Sequence, residues 1–219
     1  MGSSRRVPPR ALHQAAVRQL HRDELAIDPV DAAKLLLGCV LEVSTDDGTV
    51  GVRLTEVEAY RGADDPASHC YRGKTPRNEV MFGPAGHLYV YFVYGMHFCA
   101  NVVSLTDGVP GAVLLRAGDV VSGLDVAKAR RPAARSVNEL AKGPARLTSV
   151  LGLRRDHNGA DLTAPDATVR LYAGDPVDDE TVHSGPRVGV ALAKDVPWRF
   201  WLNGAPSVSA YRRGAKRRR

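Results

Sequence analysis

A chain of 219 residues is long enough for one compact domain with a substantial core, and two domains would be cramped. Apolar residues make up 44% of it and charged residues 25%, a globular balance that excludes a largely disordered chain. The net charge of +6 favours a polyanionic partner, but charge alone does not separate DNA from RNA or an anionic membrane surface.

The basic residues gather at the ends: Arg5, Arg6 and Arg10 at one, Arg212, Arg213, Lys216 and Arg217 to Arg219 at the other. Residues 1–19 read as a basic N-terminal arm and 210–219 as a basic C-terminal tail around one domain at 20–209. Each end is either a solvated tail or an arm that meets phosphates. Residues 1–20 hold no continuous apolar stretch that would make a secretory signal, and no later segment suits a bilayer span. Cys39, Cys70 and Cys99 are odd in number and form no CxxC pair, so they suggest neither a zinc knuckle nor a disulfide scaffold. A soluble protein of the reducing cytoplasm is the expectation.

In chain order, Asp28 to Leu37 reads as a short helix capped by Asp28, with Pro29 in its first turn. Cys39 to Val43 and Thr49 to Tyr60 read as strands, joined by a turn whose Asp47-Gly48 pair suits positive backbone dihedrals. Residues 61–87 carry scattered Gly, Pro, Arg and Asp with little periodicity. So long a loop is a candidate binding element. Leu88 to Tyr94 and Phe98 to Leu105 read as a second hairpin turning at Gly95-Met96-His97, and Ala112 to Ala117 as a further strand. Ser122 is expected to open a helix through Arg130, in a capping box with Asp125, and Pro144 another through Leu151. Strands return at Thr168 to Tyr172, Gly185 to Ala191 and Trp198 to Leu202. Without βαβ alternation, the fold class is α+β: one compact domain with a mostly antiparallel curved sheet and flanking helices.

Within Thr49 to Tyr60, strand alternation puts Glu56, Glu58 and Tyr60 on one side, continuing the row Val50, Val52 and Leu54. A carboxylate extending an apolar row is either at the wet end of the strand or held in a partly desolvated cleft, where it can act as a base. Glu56 and Glu58 with His69, His87 or His97 could also suggest a metal site, although no HxxxH or HxxE pattern supports one. Tyr89 and Tyr91 share one face of their strand. Tyr94 lies on the other, at a hairpin tip, where an aromatic is costly to leave in water and suits a wedge between base steps.

The ordered blocks TEVEAYRG, DDPASH, TPRN, MF, LYVYFVYGM, FCAN and AVLLRA, followed by GPARL, PRVGV and WRFWLNG, resemble the motifs of the alkyladenine (3-methyladenine) DNA glycosylase family, bacterial type. The resemblance runs from about Leu20 to Ser209. It implies a monofunctional hydrolase that flips alkylated or deaminated purines (3-methyladenine, 7-methylguanine, hypoxanthine) out of duplex DNA and cleaves the N-glycosidic bond, initiating base excision repair.

By motif match, Glu58 is the general base that activates a water nucleophile, and Arg116 lies near that water and the target phosphate. Tyr60, His69 and Tyr91 hold the extruded purine, Asn101 crowds the amino group of normal guanine, and Met81 and Leu114 line the pocket. Tyr94 is the DNA-inserting residue at the tip of a protruding hairpin. The resemblance further implies a monomer that acts on double-stranded DNA without metal or organic cofactor. The competing reading from another class is a catalytically inactive DNA- or nucleotide-binding protein of the same fold; a metal-dependent hydrolase built on Glu56, Glu58 and a histidine is the other.

Overall fold

A computed structural model of the chain describes residues 18–93 and 95–211. The basic residues at 5, 6, 10 and 212–219, and the wedge candidate Tyr94, lie outside the described residues. The described residues form one domain around a nine-stranded, antiparallel open sheet. Its strands are β1 (Val40–Thr45), β2 (Gly48–Tyr60), β3 (Leu88–Val93), β4 (His97–Val103), β5 (Ala112–Ser122), β6 (Ala141–Lys142), β7 (Val169–Tyr172), β8 (Val182–Gly185) and β9 (Arg199–Leu202). The main order is β3-β4-β5-β2-β1-β7, with β6 on β5, β9 on β2 and β8 on β9. Four helices complete it: α1 (Arg22–Leu25), α2 (Pro29–Leu36), α3 (Leu124–Arg130) and α4 (Pro144–Leu151). The expected α+β class and single antiparallel domain are what the structure has.

Helix α2 begins as the sequence indicates. The Asp28 side chain accepts a hydrogen bond from the Val30 amide at 2.9 Å, satisfying a donor that the first turn leaves open, and Pro29 follows it. Helices α2 and α4 pack against the central strands, and a main core forms there from Leu36, Val57, Ala59, Val90, Val102, Val113, Leu115, Leu147 and Leu151, among others. A smaller cluster, Cys70, Met81, Tyr89, Val103 and Ala112, occupies the other face. The 61–87 segment feeds this second cluster and is irregular, apart from short 3-10 turns at Gly62–Asp64 and Glu79–Phe82.

Three expectations are corrected. Ser122 does not cap α3, because it pairs with Gly51 as the last residue of β5. The cap is Gly123, at φ 68°, where a Cβ would lie 2.0 Å from the Thr49 carbonyl oxygen, so only glycine fits the close approach. The expected strand Gly185 to Ala191 is mostly loop: β8 ends at Gly185, where that strand was to begin. Pro186 has no amide to donate, Arg187 turns inward, and the Val188 amide is taken by a side chain. The third concerns β2. Its register against β5 shifts on either side of Glu56, and the core row passes from Val50, Val52 and Leu54 to Val57 and Ala59. Glu56 and Glu58 therefore do not extend the apolar row; they stand on the opposite face.

Candidate functional site

Register alone brings most of the expected site residues together. Tyr89 of β3 sits opposite Asn101 of β4, Asn101 opposite Leu114 of β5, and Leu114 opposite Glu58 of β2. Cross-strand partners share a face, so these four form a row across the sheet on the side away from the main core. Tyr91 follows Tyr89 on that side, and Arg116 follows Leu114.

Glu58 is fully buried, accepts two hydrogen bonds and faces one cation. Its Oε1 accepts from the Val188 amide at 2.7 Å and lies 3.2 Å from Arg116 Nη1, while Oε2 accepts from the Tyr60 hydroxyl at 2.8 Å. Burial first, and then Glu58, pushes the Tyr60 phenol well above its ordinary value, which keeps it a donor. Arg116 is 5% exposed, which rules out a surface cation. Its Nε donates to Glu56 at 2.7 Å, so one guanidinium bridges both carboxylates. Burial works against that charge, but Glu58 and Glu56 more than offset it and hold the group above its usual value.

Glu56 is the residue that sequence reasoning passed over except as a metal ligand. It too is fully buried, and it accepts from Arg116, from Arg199 Nε at 2.8 Å, and from the Ser209 amide and hydroxyl at 2.6 and 2.9 Å. Burial alone would raise its carboxyl; the two arginines and the Ser209 amide outweigh that and lower it. Three of these donors converge on Oε1, and the Ser209 amide takes Oε2. His87 lies 3.0 Å from the Pro84 carbonyl oxygen and 3.1 Å from Arg22, and His97 is exposed at the start of β4. Among the described residues no group of three or more His, Cys, Asp or Glu side chains is placed to hold a metal.

The aromatic part lies beside the carboxylate. Tyr89 and Tyr91 stack with centroids 5.3 Å apart, and His69 meets Tyr91 edge-on at 4.7 Å. His69 Nδ1 is 3.1 Å from the Tyr89 hydroxyl. Burial, and secondarily Arg77, lowers the His69 imidazole and favours its neutral form. The exposed Arg77 guanidinium stands 5.7 Å from the Tyr91 centroid. Burial, then Cys99, Tyr89 and Glu58, raises the Tyr91 phenol. Asn101 donates from Nδ2 to the Tyr89 carbonyl at 3.1 Å, the backbone pairing that an asparagine in a strand would also make without a pocket role. Met81 is buried beside Cys70, whose Sγ is 3.5 Å from its Sδ, and Leu114 is buried between Asn101 and Glu58. A cavity of about 580 Å³ lies elsewhere, between the β3–β4 turn, α4 and Arg130, and none of the expected site residues line it.

Sequence reasoning assigned no role to Asp65 or Arg187. Arg187 is fully buried, forks onto both Asp65 oxygens and donates to the Ala59 carbonyl at 3.0 Å. Its guanidinium lies over the Tyr60 ring at 4.6 Å and near Trp198 at 5.2 Å. It thus backs one face of Tyr60 and anchors the loop whose next residue, Val188, holds Glu58. The only sequence signal was an acid and a base set 122 residues apart within the blocks DDPASH and PRVGV.

A family model described as methylpurine-DNA glycosylase matches residues 23–206. A Nocardia farcinica protein is 53% identical over 199 residues, covering 89% of this chain and 92% of its own. A Streptomyces avermitilis protein is 50% identical over 202 residues (91% and 95%), and one from Mycobacterium tuberculosis 46% identical over 204 (90% and 96%). All three carry the provisional name 3-methyladenine DNA glycosylase. With the match spanning its sheet, its buried carboxylates and its aromatic row, the chain belongs to the methylpurine-DNA glycosylase family.

Proposed function

We propose that this protein is a monofunctional DNA glycosylase that extrudes alkylated or deaminated purines of the 3-methyladenine, 7-methylguanine and hypoxanthine class and hydrolyses their N-glycosidic bond. The observation that carries the reading is the state of Glu58. A carboxylate offers about four lone-pair positions; Val188 and Tyr60 take two of them, and the Arg116 cation stands 3.2 Å from Oε1. A free position on Oε2, the oxygen away from Arg116, receives the attacking water. Glu58 orients and deprotonates that water as it approaches the anomeric carbon, and its charge stabilises the oxocarbenium-like sugar.

Extrusion costs about a few kcal/mol, least for damaged or mispaired bases. Tyr94 offsets it by filling the vacated stack, while Tyr60, with one face backed by Arg187, joins Tyr91 and His69 in holding the base. Purines alkylated at N3 or N7 are cationic, and a cation against an aromatic face gains about 0.5–2 kcal/mol. Such bases also leave without a proton. A neutral hypoxanthine needs one, and a His69 held in its neutral form is a poor acid for that step. Arg116, bound inward to two carboxylates, fixes Glu58 and the water. Met81 and Leu114 form the apolar floor, and Asn101 crowds the amino group of normal guanine.

The test is incubation with duplexes carrying single defined lesions. Release of the free base, leaving an alkali-labile abasic site in an intact strand with undiminished activity in chelator, is the expected result. Strand cleavage without alkali overturns the monofunctional assignment. Lesion binding without release overturns the enzyme reading in favour of a binding protein.

A further inference from the structure

We propose that Ser209 is a positioning residue for the reaction, acting through Glu56 and Arg116 on the Glu58 carboxylate; the inference rests on the glycosylase reading above. It comes from how the four buried charges are shared. A guanidinium can fork onto a single carboxylate with two parallel hydrogen bonds. Arg116 does not do so with Glu58. It gives Nε to Glu56 and approaches Glu58 with Nη1 alone. That division leaves Glu58 Oε2 to Tyr60 and to water, and it persists only while Glu56 stays in place.

Ser209 touches every group that holds Glu56. Its amide and hydroxyl supply two of the four donors to that carboxylate. Its carbonyl accepts from Arg199 Nη2 at 2.8 Å, fixing the second arginine, and its hydroxyl lies 3.4 Å from Arg116 Nη2. The segment carrying it pairs with no strand. It is tied down by the buried Thr55–Ser207 hydroxyl contact at 2.8 Å and by Lys142 Nζ on the Pro206 carbonyl at 2.9 Å. Thr55 sits at the β2 irregularity, beside Glu56. Ser209 also lies beyond residue 206, where the family match ends. The end of the domain is thus part of the active site's rear wall, although it touches no substrate.

The experiment compares the full-length wild type with Ser209→Ala and Ser209→Thr in single-turnover excision of 7-methylguanine from duplex DNA. Affinity for a duplex carrying a non-cleavable lesion analogue and the thermal midpoint are measured alongside. A misaligned base slows chemistry more than binding, so Ser209→Ala should lower the excision rate by roughly 10- to 100-fold, with affinity held within about twofold. Ser209→Thr, which keeps the hydroxyl and amide, should recover most of the rate. An Ala variant as fast as wild type, a parallel fall of rate and affinity, or a Thr variant no better than Ala overturns the positioning role. These outcomes presuppose an active wild type. A wild type that releases no base from any lesion overturns the glycosylase reading and this inference with it.

Discussion

At the scale of single residues, the site is organised by charges taken out of water. Glu56, Glu58, Arg116 and Arg199 are two acids and two bases, each at most 5% exposed, and each is paired. Removing one partner from such a group leaves an uncompensated buried charge, which is far costlier than the net worth of the pair. The same holds for Asp65 and Arg187, behind Tyr60. Asp65→Ala should lower the unfolding free energy by about 3–5 kcal/mol, read from denaturant titration. A loss below about 1 kcal/mol would mean that the pair behaves as a surface ion pair. Sequence reasoning reached Glu58, Tyr60 and Arg116 through short contiguous motifs. It missed Arg187 and Ser209 because their partners, Asp65 and Glu56, are 122 and 153 residues away in sequence. The one local clue was charge embedded in apolar strands, as in AVLLRA and WRFW, since such charges have to find partners inside the fold.

At the scale of elements, the hairpin β3–β4 reaches from the candidate site to the surface. Its inner end carries Tyr89, Tyr91 and Asn101 into the site, and its outer end leaves Phe92 40% and Met96 70% exposed around the turn at Gly95. Tyr94, assigned there from the sequence, should act on duplex DNA alone. Tyr94→Ala is expected to reduce excision from a duplex at least about tenfold more than from a single strand, where no vacated stack needs filling. Equal losses on both substrates would remove the wedge role. Element types were legible wherever alternation or a proline cap spoke locally, as in α2, α4 and both hairpins. They were misread where tertiary demands took over. Ser122 was drawn into a ladder with Gly51, and the apolar run after Gly185 yielded its amide to Glu58 and its arginine to Asp65. The switch of the core row at Glu56 was equally invisible, because one irregularity reverses the facing of every later residue in the strand.

At the scale of the whole molecule, the sheet divides the labour. One face packs on α2 and α4 and supplies the core, which leaves the other free to collect aromatic and charged groups from β2, β3, β4 and β5. The net charge of +6 favours a polyanionic partner without regard to its sequence, as a duplex offers. Family and fold class were legible in the sequence because many ordered blocks and turn signals agreed across nearly the whole chain. The side-chain network behind the site became visible only once the chain was folded. The central claim is that Glu58 activates water at the sugar. Glu58→Gln keeps the shape and the acceptor on Oε1 but cannot take a proton, so single-turnover excision of 7-methylguanine from duplex DNA should fall by about 10²- to 10⁴-fold while affinity for lesion DNA is retained. Excision at the wild-type rate in Glu58→Gln would contradict the account.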